Sequence, residues 1–129
     1  MPSVFIIEND VSLQQLYEKI LEKNGFQVVG KESSGSAAIA SLKSISKMPD
    51  VILMDYRMPK KNGIETTKEI LQIDKNARII IISGDLTVES EVLRQGAKLF
   101  IKKPFRYHEL VKGIDRLSNK CYNTTKVIP

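Results

Sequence analysis

The sequence predicts an α/β domain in which helices wrap a five-stranded parallel sheet. Short apolar segments and segments with helical spacing alternate five times along the 129 residues, which is typical of repeated strand-helix units. Two runs of four consecutive apolar residues, at 51–54 and 79–82, match parallel strands buried on both faces. The chain length suits one domain with a sizeable core. We therefore expect one domain over 1–118, followed by a polar tail over 119–129.

Each predicted strand is a short apolar segment bounded by polar or turn-forming residues. The second is short and less apolar than the others, which indicates an edge of the sheet. The third lies between Pro49-Asp50 and Pro59, and the fourth consists of four isoleucines, which favours a central position. The predicted strands are 4–7, 26–29, 51–54, 79–82 and 99–101.

Each predicted helix combines apolar residues at helical spacing with a start or stop signal. The first follows Asp10, which we interpret as its N-terminal cap, and it ends at Asn24-Gly25. The second follows a loop rich in Ser and Gly, and the fourth stops at a glycine. The third is expected to bury Ile64, Ile70 and Leu71. The predicted helices are 11–24, 36–46, 64–74, 88–95 and 107–117.

Composition excludes several classes of function. The net charge is +5, but the lysines are scattered and form no basic stripe interleaved with aromatic residues, so we do not expect a nucleic-acid partner. No apolar run approaches the roughly 20 residues of a membrane helix, and no basic leader precedes the first strand. The single cysteine, Cys121, cannot form an internal disulfide, which fits a reducing compartment. We expect a cytoplasmic protein without a membrane partner.

Polar residues follow four of the five predicted strands. Because right-handed crossovers bring all carboxyl ends of a parallel sheet to one edge, these residues should form one site. Two or three carboxylates facing a lysine and a hydroxyl suit a hard cation such as Mg²⁺, which prefers one or two carboxylates plus waters and phosphate oxygens. Asp55 alone fits equally well an acid that caps the next turn. The strand-end residues are Glu8, Asn9, Asp10, Asp55, Ser83, Lys102, Lys103 and Pro104.

This constellation resembles the receiver domain of two-component response regulators, in particular the chemotaxis regulators, over roughly 4–117. The resemblance implies a flavodoxin-like, doubly wound, five-stranded parallel sheet of order 2-1-3-4-5 with five helices. It also implies a signalling module without a separate substrate to turn over, so we do not expect an enzyme in that sense. The residues that carry the resemblance are Glu8, Asp55, Met58-Pro59, Gly63, Ser83 and Lys103-Pro104.

The resemblance assigns roles to individual residues. Asp55 would accept a phosphoryl group from a histidine kinase, a phosphotransfer protein or a small phosphodonor. Lys103 and Mg²⁺ would compensate the charge on the phosphoryl oxygens. Ser83 would bind one of those oxygens and move toward it. Phe100 would change rotamer with it and alter the face of the fourth helix, fifth strand and fifth helix, where a downstream protein would bind. The bond between Lys103 and Pro104 would be cis.

The first strand departs from the family pattern at the metal ligands. Receivers usually have two adjacent acids there, whereas Glu8 is followed by Asn9. Metal ligands would then be Glu8, Asn9, Asp55 and the backbone carbonyl of Arg57. A unit-charge pair at about 4 Å is worth roughly 4 kcal/mol at an effective dielectric near 20, before desolvation. Asn9 is therefore expected to weaken Mg²⁺ binding. The alternative function is a pseudo-receiver that binds protein partners constitutively.

Two charged residues border the expected phosphoryl site, Arg57 and Asp85. Each lies two residues beyond a site residue, Asp55 or Ser83. We predict that they approach each other across the pocket mouth and hinder the attacking water, which would prolong the phosphorylated state. Two separate solvated charges are the alternative. A metal-dependent phosphatase or a flavodoxin-like redox protein is a further alternative, with little support in the sequence.

Overall fold

The chain forms a single five-stranded parallel sheet with helices on both faces. The computed structural model describes residues 1–118, so the predicted polar tail at 119–129 lies outside the described residues. The strands are β1 (Ser3–Ile7), β2 (Gln27–Glu32), β3 (Val51–Asp55), β4 (Ile79–Ser83) and β5 (Leu99–Lys102). Their order is β2-β1-β3-β4-β5, and every pair is parallel. The predicted fold class, strand order and edge position of β2 are confirmed.

Four helices connect the strands and a fifth follows β5, so residues 1–118 contain the five predicted helices. They are α1 (Val11–Lys23), α2 (Gly35–Ser44), α3 (Gly63–Ile73), α4 (Glu89–Arg94) and α5 (Tyr107–Ser118). Helix α1 begins where expected, because the side chain of Asp10 accepts hydrogen bonds from the N–H groups of Ser12 and Leu13. That interaction satisfies N–H groups that have no partner within the helix. The carboxylate of Asp10 is thereby turned toward the helix.

The core consists of two layers, one on each face of the sheet. Alternate residues of each strand point to opposite faces, so Leu53 packs with α1 and α5 whereas Met54 packs with α2, α3 and α4. Strands β3 and β4 are buried along their entire length. This two-sided burial explains their uninterrupted apolar runs.

The inward face of α3 differs from the prediction. Ile70 is fully buried as expected, but Ile64 and Leu71 are only partly buried. Thr66 and Thr67 are completely buried instead. The prediction was wrong about the centre of this face because α3 packs against α2, where the small side chain of Thr66 permits a close approach to Gly35. A Cβ atom added at Gly35 would lie only 2.3 Å from the hydroxyl oxygen of Thr66.

The fourth helix is shorter than the predicted 88–95. A single 3-10 turn at Leu86–Val88 comes first, and α4 contains only Glu89–Arg94. Asp85 starts this turn, since its carboxylate accepts hydrogen bonds from the N–H and the hydroxyl of Thr87. No helix within residues 1–118 combines the length and the apolar character that crossing a membrane requires.

Strand register brings the site residues to the same level at the carboxyl ends of neighbouring strands. Ile7 pairs with Met54, so Glu8 and Asp55 follow at the same level on neighbouring strands. On the next strands, Asp55 pairs with Ile82, and Ser83 pairs with Lys102.

Candidate functional site

A cavity of about 650 Å³ lies over the carboxyl ends of β1, β3, β4 and β5. Eight of the expected residues line it, together with Leu13 and Gly84, whereas the strand-end residues Lys102 and Pro104 do not. The expected residues that line it are Glu8, Asn9, Asp10, Asp55, Arg57, Ser83, Asp85 and Lys103. The sheet edge thus collects residues from four separate segments of the chain, as expected for an open α/β sheet.

Asp55 is the last residue of β3 and is only 7% exposed. Burial raises the pKa of its carboxyl group above the ordinary value, while the ammonium of Lys103 and the groups of Arg57 act in the opposite direction. Its Oδ1 accepts a hydrogen bond from Nζ of Lys103 at 3.2 Å. This cation favours the ionised form of the carboxylate, the form that can act as a nucleophile.

Ser83 ends β4 and is 4% exposed. Its hydroxyl oxygen accepts a hydrogen bond from the N–H of Asp85 at 3.0 Å, and its carbonyl accepts one from the N–H of Lys103 at 2.9 Å. The hydroxyl hydrogen of Ser83 therefore remains available to donate to an oxygen in the cavity. The backbone bond to Lys103 also links the ends of β4 and β5.

Glu8 is the most buried acid of the site, at 2% exposed. Its Oε2 accepts a hydrogen bond from the N–H of Asp10 at 3.1 Å. Its Oε1 is buried and has no hydrogen-bond partner within the described chain. Burial raises the pKa of this carboxyl group; the bond from Asp10 opposes that shift, and the negative charge of Asp55 adds to it. A buried carboxylate oxygen without a partner is costly unless something else neutralises it.

Asn9 is exposed and Asp10 caps α1, so neither adds a second buried carboxylate. Within residues 1–118 no group of three or more His, Cys, Asp or Glu side chains is placed to hold a metal ion. The oxygen donors that remain still suit a hard cation, because Mg²⁺ needs only one or two carboxylates and completes its shell with other oxygens. The partnerless Oε1 of Glu8 beside Asp55 fits this requirement.

Arg57 and Asp85 both line the mouth of the cavity. Hydrogen bonds from Thr87 lower the pKa of Asp85, and the positive charge of Arg57 contributes to the same direction. No ion pair joins the two side chains in the part of the chain that the structure describes, where Asp85 binds Thr87 instead. Arg57 therefore acts on Asp85 through its charge and, within residues 1–118, not through an ion pair.

Phe100 lies outside this cavity. It is a partly buried residue of β5, opposite Ile81, and it packs against the core layer beneath α2, α3 and α4. Its backbone lies two residues before Lys102, the partner of Ser83 in the register. The peptide bond between Lys103 and Pro104 is cis.

Sequence reasoning missed Gln14. This residue of α1 is 7% exposed, and its side-chain Nε2 donates hydrogen bonds to the carbonyl of Glu8 at 2.7 Å and to the hydroxyl of Ser33 at 3.2 Å. The available signal was its spacing, because Gln14 shares a helix face with the buried residues Tyr17 and Leu21. A polar residue on an apolar helix face requires a hydrogen-bond partner.

The site combines a buried carboxylate, a cation, a hydroxyl and an acidic pocket whose oxygens suit a metal ion. Positive groups around a carboxylate are suited to a reaction in which negative charge accumulates on three equatorial oxygens. The arrangement therefore fits transfer of a phosphoryl group to Asp55.

A protein-family model and several characterised proteins match most of this chain. The family described as response regulator receiver domain matches residues 4–115. The chain is 35% identical over 117 residues to the chemotaxis protein CheY of Thermotoga maritima, covering 89% of this chain and 96% of that protein. It is 36% identical over 118 residues to the chemotaxis protein CheY of Bacillus subtilis, covering 90% and 97%.

Solved structures have the same fold. A response regulator receiver domain from Clostridium thermocellum gives a TM-score of 0.88 at 24% identity, over 96% of this chain and 99% of that one. The receiver domain of a sensor histidine kinase from Pseudomonas aeruginosa gives 0.81 at 26% identity, over 92% and 98%. That structure has a magnesium ion coordinated in its active-site cleft.

Proposed function

The chain belongs to the response regulator receiver domain family of two-component signalling, and we propose that it is a phosphorylation-dependent switch whose phosphoryl acceptor is Asp55. The observation that carries the proposal is the buried carboxylate of Asp55 with Nζ of Lys103 at 3.2 Å. The phosphodonor would be a histidine kinase, a phosphotransfer protein or a small acyl phosphate. The cytoplasm is the proposed location.

In the transfer, an oxygen of Asp55 forms a bond to phosphorus while the bond from phosphorus to the histidine nitrogen of the donor breaks. Lys103 is positioned beside Oδ1 of Asp55 and compensates charge on the transferred group. The hydroxyl of Ser83 donates to one phosphoryl oxygen. Because its carbonyl is bonded to the N–H of Lys103, a shift of Ser83 also moves the end of β5.

A divalent cation would be held by Glu8 and Asp55, with the side-chain oxygen of Asn9 and the backbone carbonyl of Arg57 as further ligands. When bound, Mg²⁺ would neutralise negative charge on the carboxylates of the pocket and on the phosphoryl oxygens. Glu8 contributes its partnerless Oε1. The neutral Asn9 gives one negative charge fewer than a second acid would, so the proposed affinity is reduced.

The output would be a change in the surface formed by α4, β5 and α5. Phe100 is the proposed relay, because it lies on β5 and packs against the layer that includes Val92 of α4. A phenylalanine has no hydroxyl, so this relay depends on packing alone. A downstream protein would distinguish the two states of this surface, and no separate substrate would be turned over.

One observation favours a second candidate, a pseudo-receiver that binds partners without phosphorylation. Asn9 leaves the site with Glu8 and Asp55 as its acidic ligands, and no cluster of three metal-binding side chains exists in residues 1–118. In this case Lys103 and Asp55 would form a permanent ion pair, and the surface of α4, β5 and α5 would have a single state.

Incubation with Mg²⁺ and acetyl phosphate, followed by intact-mass analysis, separates the two candidates. We expect the wild type to gain one phosphoryl group and the Asp55→Asn variant to gain none. A receiver of known competence serves as the control for the reagent. No mass gain in the wild type, with a phosphorylated control, would leave the pseudo-receiver as the function.

A further inference from the structure

Every polar group of Glu8 except one forms a hydrogen bond within the described residues. Its N–H donates to the carbonyl of Glu32 at 3.0 Å, and its Oε2 accepts from the N–H of Asp10 at 3.1 Å. Its carbonyl accepts from Nε2 of Gln14 at 2.7 Å. Only Oε1 has no partner in residues 1–118, and it is buried. The direction in which Oε1 points is therefore determined by the other three groups.

Gln14 provides the only one of these three bonds that comes from a side chain on a different element. It lies in the first turns of α1, and its Nε2 hydrogens are used by the carbonyl of Glu8 and the hydroxyl of Ser33. The amide thus joins three segments: the end of β1, helix α1 and the loop after β2. Because the partner is a carbonyl, a hydrogen-bond donor is required, and an ionised glutamate at this position would have no hydrogen to give.

We infer that Gln14 is a positioning residue for the metal site, acting through its hydrogen bond to the carbonyl of Glu8. The inference rests on the proposed function, in which Glu8 is a ligand. Glu8 supplies the one buried carboxylate from the end of β1, since Asp10 caps α1 and Asn9 is neutral and exposed. If Glu8 is displaced, no second buried acid at the end of β1 can replace it as a metal ligand. Residues that orient metal ligands typically change affinity by about 10–100-fold when they are replaced.

The substitution Gln14→Leu removes the donor and keeps a side chain of similar size. Gln15→Leu is a matched control, since Gln15 is the exposed neighbour on the same helix. Isothermal titration calorimetry of the metal-free proteins with MgCl₂ gives the dissociation constant of each. We expect Gln14→Leu to weaken Mg²⁺ binding by about tenfold, with Gln15→Leu equal to wild type.

A purely structural role is distinguished by urea unfolding of the same proteins in EDTA. A loss of stability in Gln14→Leu with an unchanged Mg²⁺ dissociation constant would overturn the inference. If Gln14→Leu does not fold, Ser33→Ala decides, since it removes the second bond of the amide. We expect it to weaken Mg²⁺ binding by about two- to threefold, and no change would overturn the inference. A wild type that binds no Mg²⁺ would instead refute metal binding by the proposed switch, and this inference with it.

Discussion

Nζ of Lys103 lies 3.2 Å from Oδ1 of Asp55, although 48 residues separate them in the sequence. The peptide N–H of Lys103 also binds the carbonyl of Ser83 at 2.9 Å. The ammonium group is thus placed beside the carboxylate by a loop tied to β4. A cation in this position favours an ionised Asp55 and stabilises negative charge on a transferred phosphoryl group.

Replacing Lys103 with methionine should slow phosphorylation of Asp55 by acetyl phosphate by about 100-fold, the loss typical of one charge-stabilising group. Lys102→Met is the matched control, because Lys102 is exposed and does not line the cavity. The rate of phosphoprotein formation at saturating Mg²⁺ measures the effect. Equal rates for the two variants would show that Lys103 does not stabilise the transfer.

Replacing Asn9 with aspartate should tighten Mg²⁺ binding by about tenfold or more. The variant places a second charge at the cavity, and even a fraction of the roughly 4 kcal/mol attraction between unit charges at 4 Å exceeds the value of one decade. Asn76→Asp makes the same charge change in the exposed loop before β4, at the opposite edge of the sheet. Calorimetric titration of both variants with MgCl₂ tests this, and equal tightening would indicate a general charge effect.

Replacing Asp55 with asparagine should stabilise the metal-free protein at pH 7, by an amount on the order of 1 kcal/mol. Burial raises the pKa of Asp55 in the folded state, so the folded protein binds its proton more tightly than the unfolded chain does. The free energy of unfolding of the wild type therefore falls as pH rises through that pKa. The gain from Asp55→Asn should shrink as pH falls below about 4, because the carboxyl group then becomes protonated in the unfolded chain as well.

Urea unfolding in EDTA between pH 3 and pH 8 measures this difference. A gain that is equally large at pH 3.5 and pH 7 would contradict its electrostatic origin. Adding Mg²⁺ at pH 7 should stabilise the wild type more than Asp55→Asn, because a ligand that binds only the folded state raises its stability.

Replacing Arg57 with alanine should accelerate loss of the phosphoryl group by about threefold, which corresponds to roughly 0.7 kcal/mol in the barrier. Arg57 and Asp85 flank the mouth of the cavity, so we expect their side chains to restrict the approach of water. Lys68→Ala removes an exposed positive charge from α3 and serves as the control. The decay of phosphorylated protein after removal of the donor is the measurement, and an unchanged decay for Arg57→Ala would refute the role.

The two buried threonines of α3 should respond in opposite directions to substitution by valine. The hydroxyl of Thr67 has no partner within the described residues, so Thr67→Val should raise the free energy of unfolding, by up to about 1 kcal/mol. The hydroxyl of Thr66 donates to the carbonyl of Asn62 at 2.9 Å, so Thr66→Val should lower it by about 1 kcal/mol. Urea midpoints of the two variants test this, and equal shifts would contradict it.

The sequence alone determined the sheet and the composition of the site. Four-residue apolar runs at β3 and β4 identify strands buried on both faces, because a strand with one exposed face would have a polar residue at every second position. The residues that follow the parallel strands must then meet at the carboxyl ends of the sheet, which predicts that Asp55, Ser83 and Lys103 lie together. Asp10 was likewise predictable as the cap of α1, since a cap depends on the next three residues.

Tertiary structure alone decided which polar side chains are buried and what they contact. The partnerless Oε1 of Glu8, the bond from Gln14 to the carbonyl of Glu8 and the burial of Thr66 each depend on where a neighbouring element packs. A local contact decided the outcome for Asp85, which forms no ion pair with Arg57 in residues 1–118 and instead starts the 3-10 turn and binds Thr87. Local sequence specifies the periodicity of an element, but the packing of distant segments specifies which of its polar groups find partners.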